Sequence, residues 1–332
     1  MLPVISIGGR NAGGPGPIVG GGSLDPGCSV SKAVQTKAVD TQNGAAATAA
    51  PAIADVIIRT YCSAERRDSL LRAVNCLLQQ SVPTRPIIAV NGNRRDPALL
   101  AELSANPRIT VLSVEGRLPE ANRAGRQAVS ADYFGFLDDD DYLLPQAIQT
   151  RIEAAEGVDL VVSNGFVETS GRRALHLPDT AAVARDPFSA LSTLNWLHNC
   201  AGLYRSSSFP MSFFDGVPHD FEWTWLAYKA VSSGKTIRFL AEPGYVYVDT
   251  ADSMSKSRAF FAAELDLFPK ILSLDLSPKQ RRMIREKQSR AHHAAADRAR
   301  DAGDRKTAWR HHVSSLFLPG GMRYLLFTRK LV

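Results

Sequence analysis

Four aspartates in a row, Asp138 to Asp141, end the stretch YFGFLDDDDYLLP at residues 133–145. Adjacent ionised carboxylates repel one another and raise each other's proton affinity unless something compensates. A divalent cation is one compensation. Carboxylate oxygens are hard ligands that suit Mg2+ or Mn2+, ions that bridge to the phosphates of a nucleotide. Residues two apart on an extended segment point the same way, so Asp138 and Asp140 are expected to share a face, with Asp139 and Asp141 turned elsewhere. The alternative is a solvated turn that caps the helix after Pro145. The elements around the cluster bear on the choice.

The acids follow a short apolar run, YFGFL, which reads as a buried strand. Upstream, ADVIIRTY is a second such strand, followed by ERRDSLLRAVNCLLQQ, where Leu70, Leu71, Val74, Leu77 and Leu78 make one helical face. RPIIAVNGN and RITVLSV are further strands, with short helices predicted around Asp96 to Ala105 and over PEANRAGRQAVSA. Strand and helix alternating through short links is the pattern of an α/β domain on a mostly parallel sheet. Ligands of such sheets collect beyond the carboxyl ends of the strands. Three of those ends are polar: Arg59-Thr60-Tyr61, Asn91-Gly92-Asn93 and the aspartates. They are candidates for one shared site, which favours the cation over the turn.

VIIRTYCSAERRDSLLRAVNCLLQQSVPTRPIIAVNGN, then LPEANRAGRQAVSADYFGFLDDDDYLLP, then FFDGVPHDFEWTWLAYKAVSSGKTIRFLAEPGYVYV resemble, in this order, three blocks of the family 2 inverting glycosyltransferases. The resemblance implies the GT-A fold and transfer of a sugar from a nucleotide-diphosphate sugar to an acceptor hydroxyl, with inversion. It places Thr60 and Tyr61 near the nucleotide and Asn91 at the base or ribose, where the family commonly has aspartate. Asn122 matches an amide of the family, and Asp138 and Asp140 match the Asp-x-Asp pair that holds Mg2+ or Mn2+, with Asp138 and Asp139 counted among the donor-binding residues. Asp220 matches the acid expected to act as general base, although His219 stands where the family has a second acid. Glu222 is its understudy. The family's late histidine ligand has no counterpart, and Asp249 falls near its place.

Bland readings accompany several of these residues. Asp220 lies near a predicted helix start, where an acid caps free N–H groups. Of Trp223 and Trp225, one is expected in the core and the other against a sugar ring. His198 and Cys200 are expected to line the acceptor side; two ligands alone make a poor metal site.

Residues 1–50 are Gly/Pro-rich and predict a disordered tail; 51–255 form the transferase domain, with a nucleotide-sugar half over 51–145 and an acceptor half over 146–255; and 256–332 form a helical, basic extension. The chain of 332 residues carries a net charge of +6, which favours anionic partners. The basic run over 279–312 lacks interleaved aromatics, so no nucleic-acid partner is expected, and peripheral contact with an anionic membrane or lipid-linked acceptor is the alternative. No apolar stretch is long enough to span a bilayer, the start has no basic segment before an apolar core, and the four cysteines form no close pair. A cytoplasmic enzyme of polysaccharide or glycolipid synthesis, working at the inner face of the cell membrane, is the resulting expectation. A sugar nucleotidyltransferase is the alternative, but RTYCSAERR lacks the glycine-rich loop it needs. A nucleotide- or glycan-binding protein without turnover is the other.

Overall fold

The apolar strands pair into a mixed sheet whose parallel part carries the polar ends together. The computed structural model describes residues 52–250 and 258–332; the predicted tail over 1–50 lies outside the described residues. β1 (Ala54–Thr60), β2 (Thr84–Asn91), β3 (Thr110–Val114) and β4 (Tyr133–Asp138) run parallel in the order β3-β2-β1-β4. The links are α1 (Arg67–Leu78), α2 (Pro97–Ser104) and α3 (Leu118–Gln127). Every residue of β1 is buried, as expected of a central strand covered on both faces. Gly125 lets α3 close on that strand: a Cβ there would collide with the Ile57 side chain.

Past the aspartates come β5 (Tyr142–Leu143), α4 (Ala147–Glu153), β6 (Leu160–Thr169), β7 (Arg172–Leu175), α5 (Thr180–Arg185), α6 (Pro187–Ala190), β8 (Gly202–Arg205), α7 (Glu222–Ser232) and β9 (Ile237–Asp249). β8 joins the two halves by pairing antiparallel with both β4 and β6, and β9 runs parallel to β6. Among the described residues the order is β3-β2-β1-β4-β8-β6-β9-β5, with β7 on β6. TIRFL and GYVYVD, expected as two strands, are one. Pro243 cannot donate to the ladder, and it stands opposite Asn164, where the β6–β9 register shifts.

The C-terminal region folds as α8 (Arg258–Leu272), α9 (Pro278–Asp301), α10 (Arg305–Leu316) and a 3-10 helix (Gly321–Lys330). α9 opens on a capping box between Ser277 and Gln280. One apolar cluster extends from β1 to Ile284 and Ala291 of α9, while Ala296, Ala308, Phe327 and Leu331 form a second, small core. Several bases of the charged run are tied to backbone carbonyls: Arg281 to Leu272 (2.8 Å), Lys287 to Leu191 (2.7 Å) and Arg290 to Ser192 (2.9 Å). The first ties α9 to the end of α8, and the other two dock it on the segment after α6.

Asp55 shows how the parallel half is fastened. Its fully buried carboxylate accepts from Arg85 Nε (2.9 Å) and Nη2 (2.7 Å) on β2, and from the backbone N–H groups of Ser130 (2.8 Å) and Ala131 (3.0 Å) before β4. Asp55→Ala strands those two amides while the half-exposed Arg85 can rehydrate. A loss of about 3 kcal/mol in urea unfolding is expected, and a loss below about 1 kcal/mol would show the amides are satisfied otherwise.

Candidate active site

The parallel pairing of β1 with β4 sets Arg59 beside Asp138. There β4 ends, and Asp139 and Asp140 form a turn in which the Asp141 N–H donates to the Asp138 carbonyl (3.2 Å). Asp138 and Asp140 converge as the extended-chain reading expects, but that reading fails for Asp141 for a physical reason. Because the run curls, Asp141 joins Asp138 and Asp140, and one carboxylate oxygen from each lies within 4.8 Å of the others. The acids are both a turn and a convergent oxygen cluster.

Each acid has a distinct environment. Asp138 accepts from Arg59 Nε (2.6 Å) and Nη2 (3.2 Å). Asp139 faces inward, accepting from Thr60 Oγ1 (2.6 Å) and Arg66 Nη1 (2.7 Å); burial pushes its pKa up to about 6 against the pull of those partners. Asp140 accepts from Arg66 Nη1 (2.9 Å), and burial followed by the Asp138 charge raises its pKa. Asp141 is wholly buried, held by Asn199 Nδ2 (3.0 Å) and the Val248 N–H (2.9 Å). Burial and the charges of Asp138 and Asp140 drive its pKa well above the carboxylate range. In all three shifted acids burial is the first cause, since it disfavours the charged form.

Arg59 bridges the cluster to the far side of the cleft. It ion-pairs with Glu222 as well as Asp138, and its guanidinium lies 5.5 Å from the Trp223 ring centroid. Burial opposes its charge, but Asp138 and Glu222 outweigh burial and hold the pKa above its ordinary value. Arg59 stood in the sequence only as part of the polar end of β1, with no role of its own, and Arg66, in the loop after that strand, was not singled out.

A second group shares Asp141: oxygen, nitrogen and sulfur atoms of Asp141, His198 and Cys200 also lie within 4.8 Å of one another. Burial, then His176, lowers the His198 pKa to about 3, so its ring stays neutral with a lone pair available to a metal. Burial pushes the Cys200 thiol up. The sequence set His198 and Cys200 aside as an insufficient pair. Asp141, distant in sequence, supplies the third ligand atom. The oxygen set of Asp138, Asp140 and Asp141 fits Mg2+ or Mn2+, and His198 with Cys200 adds softer donors that extend the range of divalent ions.

The cleft over these groups is lined by Arg59, Thr60, Tyr61, Arg66, Asp138, Asp139 and Asp140, and also by His198, His219, Asp220, Glu222, Trp223, Tyr247 and Thr250. Tyr61 is exposed at the rim with its ring over Gly92, whose φ of +80° and proximity to Tyr61 (3.2 Å from a Cβ) suit glycine alone. Asn91 and Asn122 do not line the cleft. Both are buried, and each keeps a side-chain oxygen without a hydrogen-bond partner among the described residues. Asp249 does not line it either; its carboxylate accepts from Thr169 (3.2 Å), and the neighbouring Thr250 reaches the cleft. Trp223 and Trp225 are both buried, with Trp223 on the cleft side.

The approach to α7 places Asp220 and Glu222 in the same cleft for different reasons. Glu222 is the first residue of the helix, preceded by Phe221 in the left-handed conformation (φ 60°) with no side-chain cap. Asp220 therefore lies outside the helix and does not cap it. It is half-buried and open to the cleft.

Comparison with known proteins agrees with this geometry. Residues 55–211 match the family model described as glycosyl transferase family 2. No curated protein is detectably similar to the chain. Among solved structures, S. aureus TarS 1-349 in complex with UDP-GlcNAc superposes with a TM-score of 0.54 at 14% identity, covering 80% of this chain and 91% of that one. The same protein alone gives 0.53 at 14% identity (79% and 80% covered), and its UDP complex 0.50 at 13% (80% and 90%). At such identities the likeness is one of fold. The curled mixed sheet, the helices on its faces and the aspartates at the end of β4 thus form a glycosyltransferase family 2 fold, the family whose model residues 55–211 match.

Proposed function

We propose that the chain transfers a sugar from a nucleotide-diphosphate sugar to an acceptor hydroxyl with inversion at the anomeric carbon. The observation that carries the reading is the convergence of Asp138 and Asp140, which line the cleft that also holds Asp220, with the buried Asp141. The three acids would hold a divalent ion, Mg2+ or Mn2+, which supplies charge to stabilise the departing diphosphate. Arg59 fixes the Asp138 carboxylate, and Arg66 with Thr60 fixes the turn through Asp139. Thr60 and Tyr61 border the nucleotide end of the cleft, and Trp223 offers an apolar wall to a sugar. Asp220 accepts the proton of the attacking hydroxyl, because no ion pair among the described residues engages it, whereas Glu222 is held by Arg59.

TarS structures bound to UDP and UDP-GlcNAc share the fold and support a nucleotide-diphosphate donor. The acceptor is proposed to be a glycan, glycolipid or small molecule of envelope or polysaccharide synthesis. A cytoplasmic setting, at the inner face of the membrane, belongs to the same proposal and is supported by the free thiols of Cys62, Cys76 and Cys200.

Direct displacement fixes the stereochemistry. An α-linked donor must give a β-linked product, read by proton NMR of the transfer product; an α-linked product would overturn the reading.

A further inference from the structure

Residues 305–332 contain six arginines and lysines and no acid. On α10 the row Ala308, His312 and Ser315 is buried, while Trp309, Val313 and Phe317, one turn apart, are exposed on the opposite side, Phe317 at 87%. Lys306 and Arg310 flank that apolar row and are also exposed. The following 3-10 helix packs on α10 through Thr328 Oγ1 against His312 Nε2 (2.8 Å) and through the Phe327 ring. That packing leaves Met322, Leu325 and Leu326 exposed beside Arg323, Arg329 and Lys330. Among the described residues, no ion pair engages Lys306, Arg310, Arg323, Arg329 or Lys330.

We infer that this C-terminal face docks on an anionic bilayer, with Trp309, Phe317 and Leu326 entering the headgroup–acyl boundary and the cations meeting lipid phosphates. Large apolar side chains interleaved with uncompensated cations are the makings of an in-plane membrane contact. No described helix is long and apolar enough to cross, so the contact is peripheral. A second copy of the face is a poor occupant, since two-fold pairing sets the same patch on itself and opposes cation to cation. A purely polyanionic partner would match the charge and leave Phe317 and Leu326 in water. A chain docked this way meets lipid-borne acceptors, a consequence that rests on the transferase reading; the docking itself does not.

The test is flotation of the full chain with vesicles of phosphatidylcholine alone and with vesicles containing phosphatidylglycerol. Strong binding only to the anionic vesicles is expected. Trp309→Ser/Phe317→Ser/Leu326→Ser should weaken it at least about tenfold, and each neutralisation among Lys306→Gln, Arg310→Gln and Arg329→Gln about fivefold. All these positions are exposed, and circular dichroism with a melting curve checks that the fold is kept. Asp140→Ala should float as the parent does, which separates this inference from the donor site. No binding to anionic vesicles overturns it, as does parent-like binding by the triple serine variant. A concentration-dependent dimer dissolved by Phe317→Ser would also overturn it, in favour of self-association.

Discussion

Asp220→Asn is expected to bind the nucleotide-diphosphate donor as the parent protein does and to transfer sugar about 10²–10⁴-fold more slowly. The amide keeps the size and hydrogen-bonding reach of the carboxylate but cannot take the acceptor's proton. The side chain is half-buried in the loop before α7 and caps no helix, so the fold should not feel the change. Glu222→Gln provides the contrast. It removes one partner of Arg59, whose guanidinium retains Asp138, so a loss of about tenfold or less is expected, mostly through misplacement of Asp138. Steady-state transfer and donor binding measured on both variants decide the matter. A large loss in Glu222→Gln with Asp220→Asn near parental would move the base to Glu222.

Asp140→Ala should have an effect of similar size by a different route. Asp140 shares a 4.8 Å cluster with Asp138 and Asp141, and it sits in the turn where its carboxylate is half-exposed to the cleft. Its removal takes one oxygen ligand from the ion. Stabilisation of a departing diphosphate by a bound divalent ion is worth several kcal/mol, so transfer should fall about a thousand-fold. The fold should survive, because Asp140 contacts only the half-exposed Arg66 as an ion pair, and relief of crowding offsets that loss. Transfer measured across a Mn2+ titration checks this. Parental activity in the variant at low Mn2+ would remove Asp140 from the metal site.

The central elements were legible because their local signals agree with their tertiary fate. The helical face of Leu70, Val74 and Leu77 and the apolar runs of β1, β2 and β4 could only be buried as they are. The sequence also placed the polar ends of β1 and β4 together, since parallel neighbours bring their carboxyl ends to one edge. What it could not show depends on the chain reversing. Strand periodicity sent Asp141 away from Asp138, and a turn at Asp139–Asp140 brought it back. His198 and Cys200 lie in a weakly periodic segment, so their approach to Asp141 has no local signature. Asn91 is expected in the cleft both from its strand end and from the family resemblance, yet its side chain is buried outside the lining. The basic run over 279–312 looked like one charged surface; tertiary contacts tie Arg281, Lys287 and Arg290 to carbonyls and leave the free cations further on.

The most direct measurement of the central claim is isothermal titration of the protein with UDP, GDP, dTDP and CDP, each with and without Mn2+. The account predicts that one diphosphate binds only when Mn2+ is present and that Asp140→Ala loses this binding. If none of the four binds under either condition, or if Asp140→Ala binds as the parent does, the aspartates at the end of β4 are a charged turn and not the cation site of a nucleotide-sugar transferase.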